Sequence, residues 1–269
     1  MTLFMDVVQG PGYTTAAVAA KVALPSLTLP ALPNGGTITR IWVTCAITNY
    51  NVAEPLAGYV VVSSVDCGIA PLNIPIEIVP GFITVGGSVQ REPHKWLVNC
   101  PVPGGAVIDF HAVGDIAQTA APEFQVTVEF TDGGSPFGEQ LHMKIAEPAV
   151  ALGTAENVAI AMTDIEIKAS VLHMIFGYAL QTTPTADESC PTTVEVKSDD
   201  FAQHGPFKFA WNPMGAGIAN AASSGVDLTT IETDRSFKAP GAKQTVSAIT
   251  TTRDAMAGNG LANWGVVYS

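Results

Sequence analysis

The stretch Phe124–Thr131, FQVTVEFT, sets Phe124, Val126, Val128 and Phe130 on one side and Gln125, Thr127, Glu129 and Thr131 on the other. Successive side chains of an extended backbone point to opposite faces, so this alternation reads as a strand with one face in a core and one toward solvent. The same period recurs at Ile38–Ile47, Tyr59–Ser63, Ile74–Ile78, Val158–Met162, Ile165–Ile167 and Thr193–Lys197. Between these runs lie Asn34-Gly35-Gly36, Pro80-Gly81, Gly86-Gly87, Pro103-Gly104-Gly105, Asp132-Gly133-Gly134 and Pro240-Gly241, the chemistry of tight turns between short antiparallel strands. Helix candidates are two: the Ala-rich Thr14–Val22, stopped by Pro25, and Ile218–Ala222. An all-β chain of sandwiches or barrels follows.

Composition bounds the function. The chain has 269 residues, 47% of them hydrophobic, enough for a sizeable core. Only 13% are charged, about half the usual share, so much of the surface is neutral. The net charge of −12 repels phosphate and leaves no polybasic run for anionic lipid, which argues against direct nucleic-acid binding. Met1–Gly12 carries Asp6 and no base, so it does not read as a secretory signal. The uncharged Val22–Thr39 is broken by Pro25, Pro30, Pro33 and Gly35-Gly36 and cannot form a membrane helix. Cys45, Cys67, Cys100 and Cys190 show no C-x-x-C pair and read as buried thiols, with a disulfide between two of them left open.

Internal repetition is the most informative signal. Ile41–Thr44 lines up with Ile160–Thr163, and Gly58-Tyr59 with Gly177-Tyr178, both at an offset of 119. Pro103-Gly104 lines up with Pro240-Gly241 at 137, and Phe124, Val126, Val128, Phe130 with Ala262, Trp264, Val266, Tyr268 at 138. The change of offset calls for an insertion of roughly 18 residues, for which Met214–Asp234 has a loop-like composition. The expected organisation is an N-terminal arm plus first sandwich over 1–140, and a connector (Ile145–Ala155) plus second sandwich over 141–269.

With two similar β halves and a neutral Gly-, Ala- and Thr-rich surface, the whole chain resembles the double jelly-roll major capsid proteins of tailless icosahedral viruses, many of which infect bacteria or archaea and enclose a membrane. The resemblance implies two tandem eight-stranded antiparallel jelly rolls with few short helices. It also implies a homotrimer with six similar sandwiches that tiles a virion shell beside neighbouring capsomers and vertex or minor capsid proteins. Alternation establishes strands but not their order, so an immunoglobulin-like pair stays open. The first twenty residues contain no Lys or Arg, so an internal membrane or separate basic proteins are expected beneath the shell, with Met1–Pro33 lying along a neighbour or the inner face. The alternatives are a secreted or cell-surface two-sandwich binding module and a tandem β-sandwich glycan hydrolase.

No catalytic, cofactor or metal residue is assigned. His94, His111, His142, His173 and His204 form no metal-binding pair, and neither half has the His-x-His of cupin enzymes. Gly133-Gly134-Ser135-Pro136-Phe137 lacks the closing glycine of a nucleophile elbow. Gly215-Ala216-Gly217 and Gly258-Asn259-Gly260 are loops without a dinucleotide fingerprint. Ser198-Asp199-Asp200, or Asp227 with Glu232 and Asp234, could offer carboxylates to calcium but lack its loop spacing. Glu54, Asp109, Glu129 and Glu188 read as surface acids, and Trp42, Trp96, Trp211 and Trp264 as core.

Overall fold

The computed structural model describes residues 3–11, 20–47, 56–67, 69–76, 93–117, 122–133, 138–181, 192–202, 205–211, 228–255 and 259–269. Its described residues contain nineteen strands and no helix. The compact units divide between Met143 and Lys144.

The first unit holds β1 (Leu3–Pro11), β2 (Lys21–Ala23), β3 (Leu27–Thr28), β4 (Gly36–Ile47), β5 (Gly58–Ser64), β6 (Ile69–Pro75), β7 (Trp96–Val102), β8 (Val107–Gly114) and β9 (Pro122–Asp132). One sheet runs β1-β9-β4-β7; the other runs β2-β8-β5-β6, with β3 also on β8. Because β2 and β3 share one position, the eight positions are ordered 1-8-3-6 and 2-7-4-5. That is the strand order of a jelly roll.

The second unit is built alike. It comprises β10 (His142–Ile145, which spans the division), β11 (Val150–Leu152), β12 (Ala159–Ala161), β13 (Ile165–Lys168), β14 (Val171–Gln181), β15 (Thr192–Lys197), β16 (Phe207–Trp211), β17 (Thr229–Ser236), β18 (Lys243–Thr252) and β19 (Gly260–Tyr268). Its sheets run β10-β19-β14-β17, with β11 also on β19, and β12-β18-β15-β16, with β13 also on β18. Here the first and second positions are each split in two. The chain is a double jelly roll.

Equivalence extends to individual hydrogen-bonded partners. Ile41 faces Val128 as Ile175 faces Val266, and Cys45 faces Phe124 as Ala179 faces Ala262. Val60 faces Ala112 as Val194 faces Thr250, and Val22 faces Ala112 as Ile160 faces Thr250. Both halves break register on the third strand, between Ile38 and Arg40 and between Leu172 and Met174, and the first half also between Val62 and Ser64 of β5. Opposite each third-strand break a residue adopts left-handed backbone, Asn99 (φ 51°) and Asp234 (φ 42°). Asn and Asp tolerate that conformation better than most side chains. The turns Pro103–Ala106 and Ala239–Ala242 each place a glycine third, Gly105 (φ 76°) and Gly241 (φ 74°), where a Cβ would be strained.

Several expectations are corrected by this register. The 138 offset of the last strand holds, but the 119 offset does not: Ile41 lies in β4, equivalent to Ile175 in β14, whereas Ile160 lies in β12. Two short apolar runs had been matched across different strand positions. With true offsets of 134 (Ile41 to Ile175) to 138 (Val128 to Val266), no 18-residue insertion is needed, and the end of Met214–Asp234 is part of β17. The glycine turns differ by 136, not 137 (Gly105 to Gly241). Of Met1–Pro33, expected to lie along a neighbour or the inner face, Leu3–Pro11 instead pairs along its length with β9, Phe4 stacks on Phe130 at 5.4 Å, and Lys21–Ala23 and Leu27–Thr28 pair with β8. The stretch read as a connector contains β11. Of the helix candidate Thr14–Val22, Lys21 and Val22 belong to β2 and 14–19 lie outside the described residues, as does Ile218–Ala222.

Each sandwich closes on an apolar interior. Phe124, Val126, Val128 and Phe130 face Ile38, Ile41 and Val43 in the first, all buried. Leu172, Ile175, Val194, Trp211, Val246, Trp264 and Val266 belong to the core of the second. There Trp211 lies against Gly177, where a Cβ would collide with its ring. The free edge of β1 is blunted, because Asp6 Oδ1 accepts the Val7 N–H at 2.8 Å.

Two outcomes are expected. Gly177→Val should destabilise the chain by about 1–3 kcal/mol through overpacking against Trp211, measured by chemical denaturation. Deleting Met1–Gly10 should lower the melting temperature of the isolated subunit, because it removes a paired strand rather than an arm; unchanged melting would contradict the assigned pairing.

Candidate functional site

The same bulge gives each half a polar cluster. Its position follows from register: one extra residue on the third strand relative to the eighth, and a left-handed residue on the sixth, turn side chains out of strict alternation. In the first half Glu129 is buried, its Oε1 taking a hydrogen bond from the Thr39 hydroxyl at 2.5 Å and one from Arg40 Nη1 at 2.9 Å. The Thr37 hydroxyl donates to Gly133 O at 3.3 Å, and Asn99 Nδ2 donates to Glu139 O at 3.4 Å. Glu129, read from sequence as a surface acid, is thus a buried, paired carboxylate. Alternation alone placed it outward and could not show what closes over it.

In the second half His173 occupies the bulge. Its Nδ1 lies 3.0 Å from Asp234 Oδ1 and its Nε2 2.8 Å from Ser269 Oγ. Acid, imidazole and hydroxyl are in the order that activates a serine nucleophile. Yet their equivalents in the first half are Thr39, Asn99 and Thr131, which include neither base nor acid. The geometry belongs to the bulge. It joins three strand ends, and the Ser170 and Val171 N–H groups also hold Ser269 O at 2.6 and 3.3 Å. Sequence reasoning missed the trio because its members lie 61 and 96 residues from His173, with no motif to link them.

The remaining candidates scatter. His94 packs on Trp96 with ring centroids 4.2 Å apart, His111 is on β8 and His142 on β10. Among the described residues no group of three His, Cys, Asp or Glu side chains could hold a metal. Asp109 accepts from the Ser26 hydroxyl at 2.6 Å, and Asp200 Oδ2 accepts the Thr245 N–H at 3.4 Å. Glu232 and Asp234 lie on β17 rather than in a loop. Beside Lys197, Phe201, Pro206 and Lys238 lies an open cleft of about 240 Å³, in which Lys238 Nζ donates to Asp199 O and the Ser198 hydroxyl to Thr245 O. His204, Cys190, Asp227, Glu54, Glu188, Ser135 and Gly215-Ala216-Gly217 lie outside the described residues.

Trp96, Trp211 and Trp264 are buried as expected, and Trp264 Nε1 donates to Thr163 O at 2.9 Å. Trp42 is only half-buried, with Lys95 Nζ 5.4 Å from its ring centroid. Cys45, Cys67 and Cys100 are outside any disulfide, and of the expected buried thiols only Cys100 is buried, Cys45 and Cys67 being half-buried. Burial, with the neighbouring Cys67 adding to it, pushes Cys100 up to about 11, so this thiol stays protonated and unreactive at neutral pH. Burial holds the His94 and His142 imidazoles below the ordinary histidine value.

The likenesses to known proteins are remote. No family model matches the chain, and no curated protein matches it. Among solved structures it is similar to the crystal structure of the STIV MCP, with 12% identity, a TM-score of 0.44, and coverage of 100% of this chain and 97% of that one. It is similar to recombinant peptide: N-glycanase F (PNGase F), with 10% identity, 0.42, and 98% and 96% coverage. A third is the cowpea mosaic virus top component, with 9% identity, 0.41, and 98% and 88% coverage. With scores below 0.5, the fold assignment rests on the strand order and register of this chain itself.

Two measurements test the site chemistry. Iodoacetamide at neutral pH should leave Cys100 unmodified in the folded chain and modify it after denaturation, read by peptide mass. The unfolded state takes up protons on His94 and His142 at higher pH than the folded state does. Stability from these groups is therefore full above about pH 6.5 and lost as pH falls through that range. The His94→Gln/His142→Gln variant should show a flatter melting profile between neutral and mildly acid pH; an unchanged slope would refute the contribution.

Proposed function

We propose that this protein is a viral major capsid protein that acts by assembly rather than catalysis. The carrying observation is the repetition of one jelly roll, register for register, within a single chain. A trimer of such chains presents six equivalent sandwiches, and a block of nearly hexagonal outline can tile an icosahedral shell of a tailless virus. The low charge content supports this reading, because uncompensated charges are costly to bury between subunits.

A face suited to association lies on the outside of the β1-β9-β4-β7 sheet. Met5 and Val7 of β1 are 61% and 52% exposed, and Leu97 of β7 is 43% exposed, with the half-buried Trp42 on β4 between these edge strands. Its partner in this reading is a neighbouring copy. The Leu3–Pro11 strand holds no Lys or Arg and is committed to the sheet, so it gives the shell no basic arm toward a genome. An internal membrane or separate basic proteins would fill that role.

Mass photometry of the purified protein should show a species of three 27.9 kDa chains, and electron microscopy larger shells. Val7→Lys with Leu97→Glu should abolish the trimer while leaving the subunit's melting temperature within a few degrees. A wild-type chain that stays monomeric at high concentration would overturn the reading.

A further inference from the structure

The bulge cluster differs between the halves in one revealing way. In the second sandwich the His173 ring fills the span from Asp234 to Ser269 and bonds to both. In the first, the equivalent Thr39 is shorter, and its hydroxyl is turned to the carbonyl and carboxylate of Glu129, at 3.2 and 2.5 Å. Asn99 Oδ1 and Thr131 Oγ1, equivalent to the two atoms that the imidazole joins, have no hydrogen-bond partner. Asn99 is 5% exposed and Thr131 only 1%. Interiors rarely leave two such oxygens unpaired, and a polar site of this kind is where buried water is retained.

We propose that one or two ordered water molecules occupy, in the first sandwich, the place of the imidazole in the second, bridging Asn99 Oδ1 to Thr131 Oγ1. The chemistry selects a neutral donor. Asn99 Oδ1 can only accept, whereas the Thr131 hydroxyl can accept or donate. A cation is disfavoured, because the nearby Glu129 carboxylate is already engaged by Arg40 and Thr39. The water therefore forms a solvent-built counterpart of the histidine bridge and ties β7 to β9 across the bulge of β4. This site is independent of the shell-forming role.

Thr131→Val keeps the shape and removes the hydroxyl. If water is bound there, the variant should melt about 2–4 °C lower, because the water loses a partner, while Thr131→Ser should retain most of the stability. If the oxygen is bare, Thr131→Val should melt at the same temperature or higher, and the proposal fails. A crystal structure at high resolution should show density between Asn99 and Thr131, replaced by the imidazole ring in Thr39→His. A dry gap in the wild-type map would overturn the assignment whatever the melting data.

Discussion

The structure depends on the register between the third and eighth strands of each sandwich. Because strand side chains alternate with period two, a slip of one residue between β4 and β9 would send Phe124, Val126, Val128 and Phe130 to the outside. Burial of that row makes slippage costly, since each such side chain contributes roughly 1.5–3 kcal/mol when fully removed from water. The bulge absorbs the register shift between these two strands. Its recurrence at Thr39 and His173, opposite left-handed Asn99 and Asp234, indicates that both sheets meet the same geometric demand with the same device.

Strands were legible because their signal is local. Phe124–Thr131 and Ile38–Ile47 declare a buried face within eight or ten residues, and both lie in long paired strands. The repeat was legible at its end, where Phe124–Phe130 maps onto Ala262–Tyr268. It was misread at its start because Ile41–Thr44 and Ile160–Thr163 are interchangeable as apolar patterns, and only hydrogen-bonded partners tell the third strand from the second. Leu3–Pro11 was read as an arm for a related reason. Edge strands bury one side against a single neighbour, and LFMDVVQGP shows alternation too weak to reveal that neighbour.

The polar clusters were beyond sequence reasoning for a different cause. Glu129 looks like any outward residue of an alternating strand, and the partners that mark it as a buried, paired carboxylate, Thr39 and Arg40, lie about ninety residues away in the sequence. His173, Asp234 and Ser269 meet only because β14 lies between β17 and β19. Duplication supplies the control that a single domain lacks. Comparing a position with its counterpart separates what the two halves share, a bulge flanked by polar side chains, from what one half alone uses, an imidazole bridge.

Asp6 would have a wider significance if the chain packs against copies of itself, as proposed above. An open sheet margin is an invitation to endless strand-by-strand growth, the route to fibres. By turning a carboxylate onto the Val7 amide, the chain places a charge and an occupied donor on an edge strand that exposes Met5 and Val7. In the proposed assembly, contacts between copies would then fall to broad surfaces, whose geometry can terminate in a finite particle.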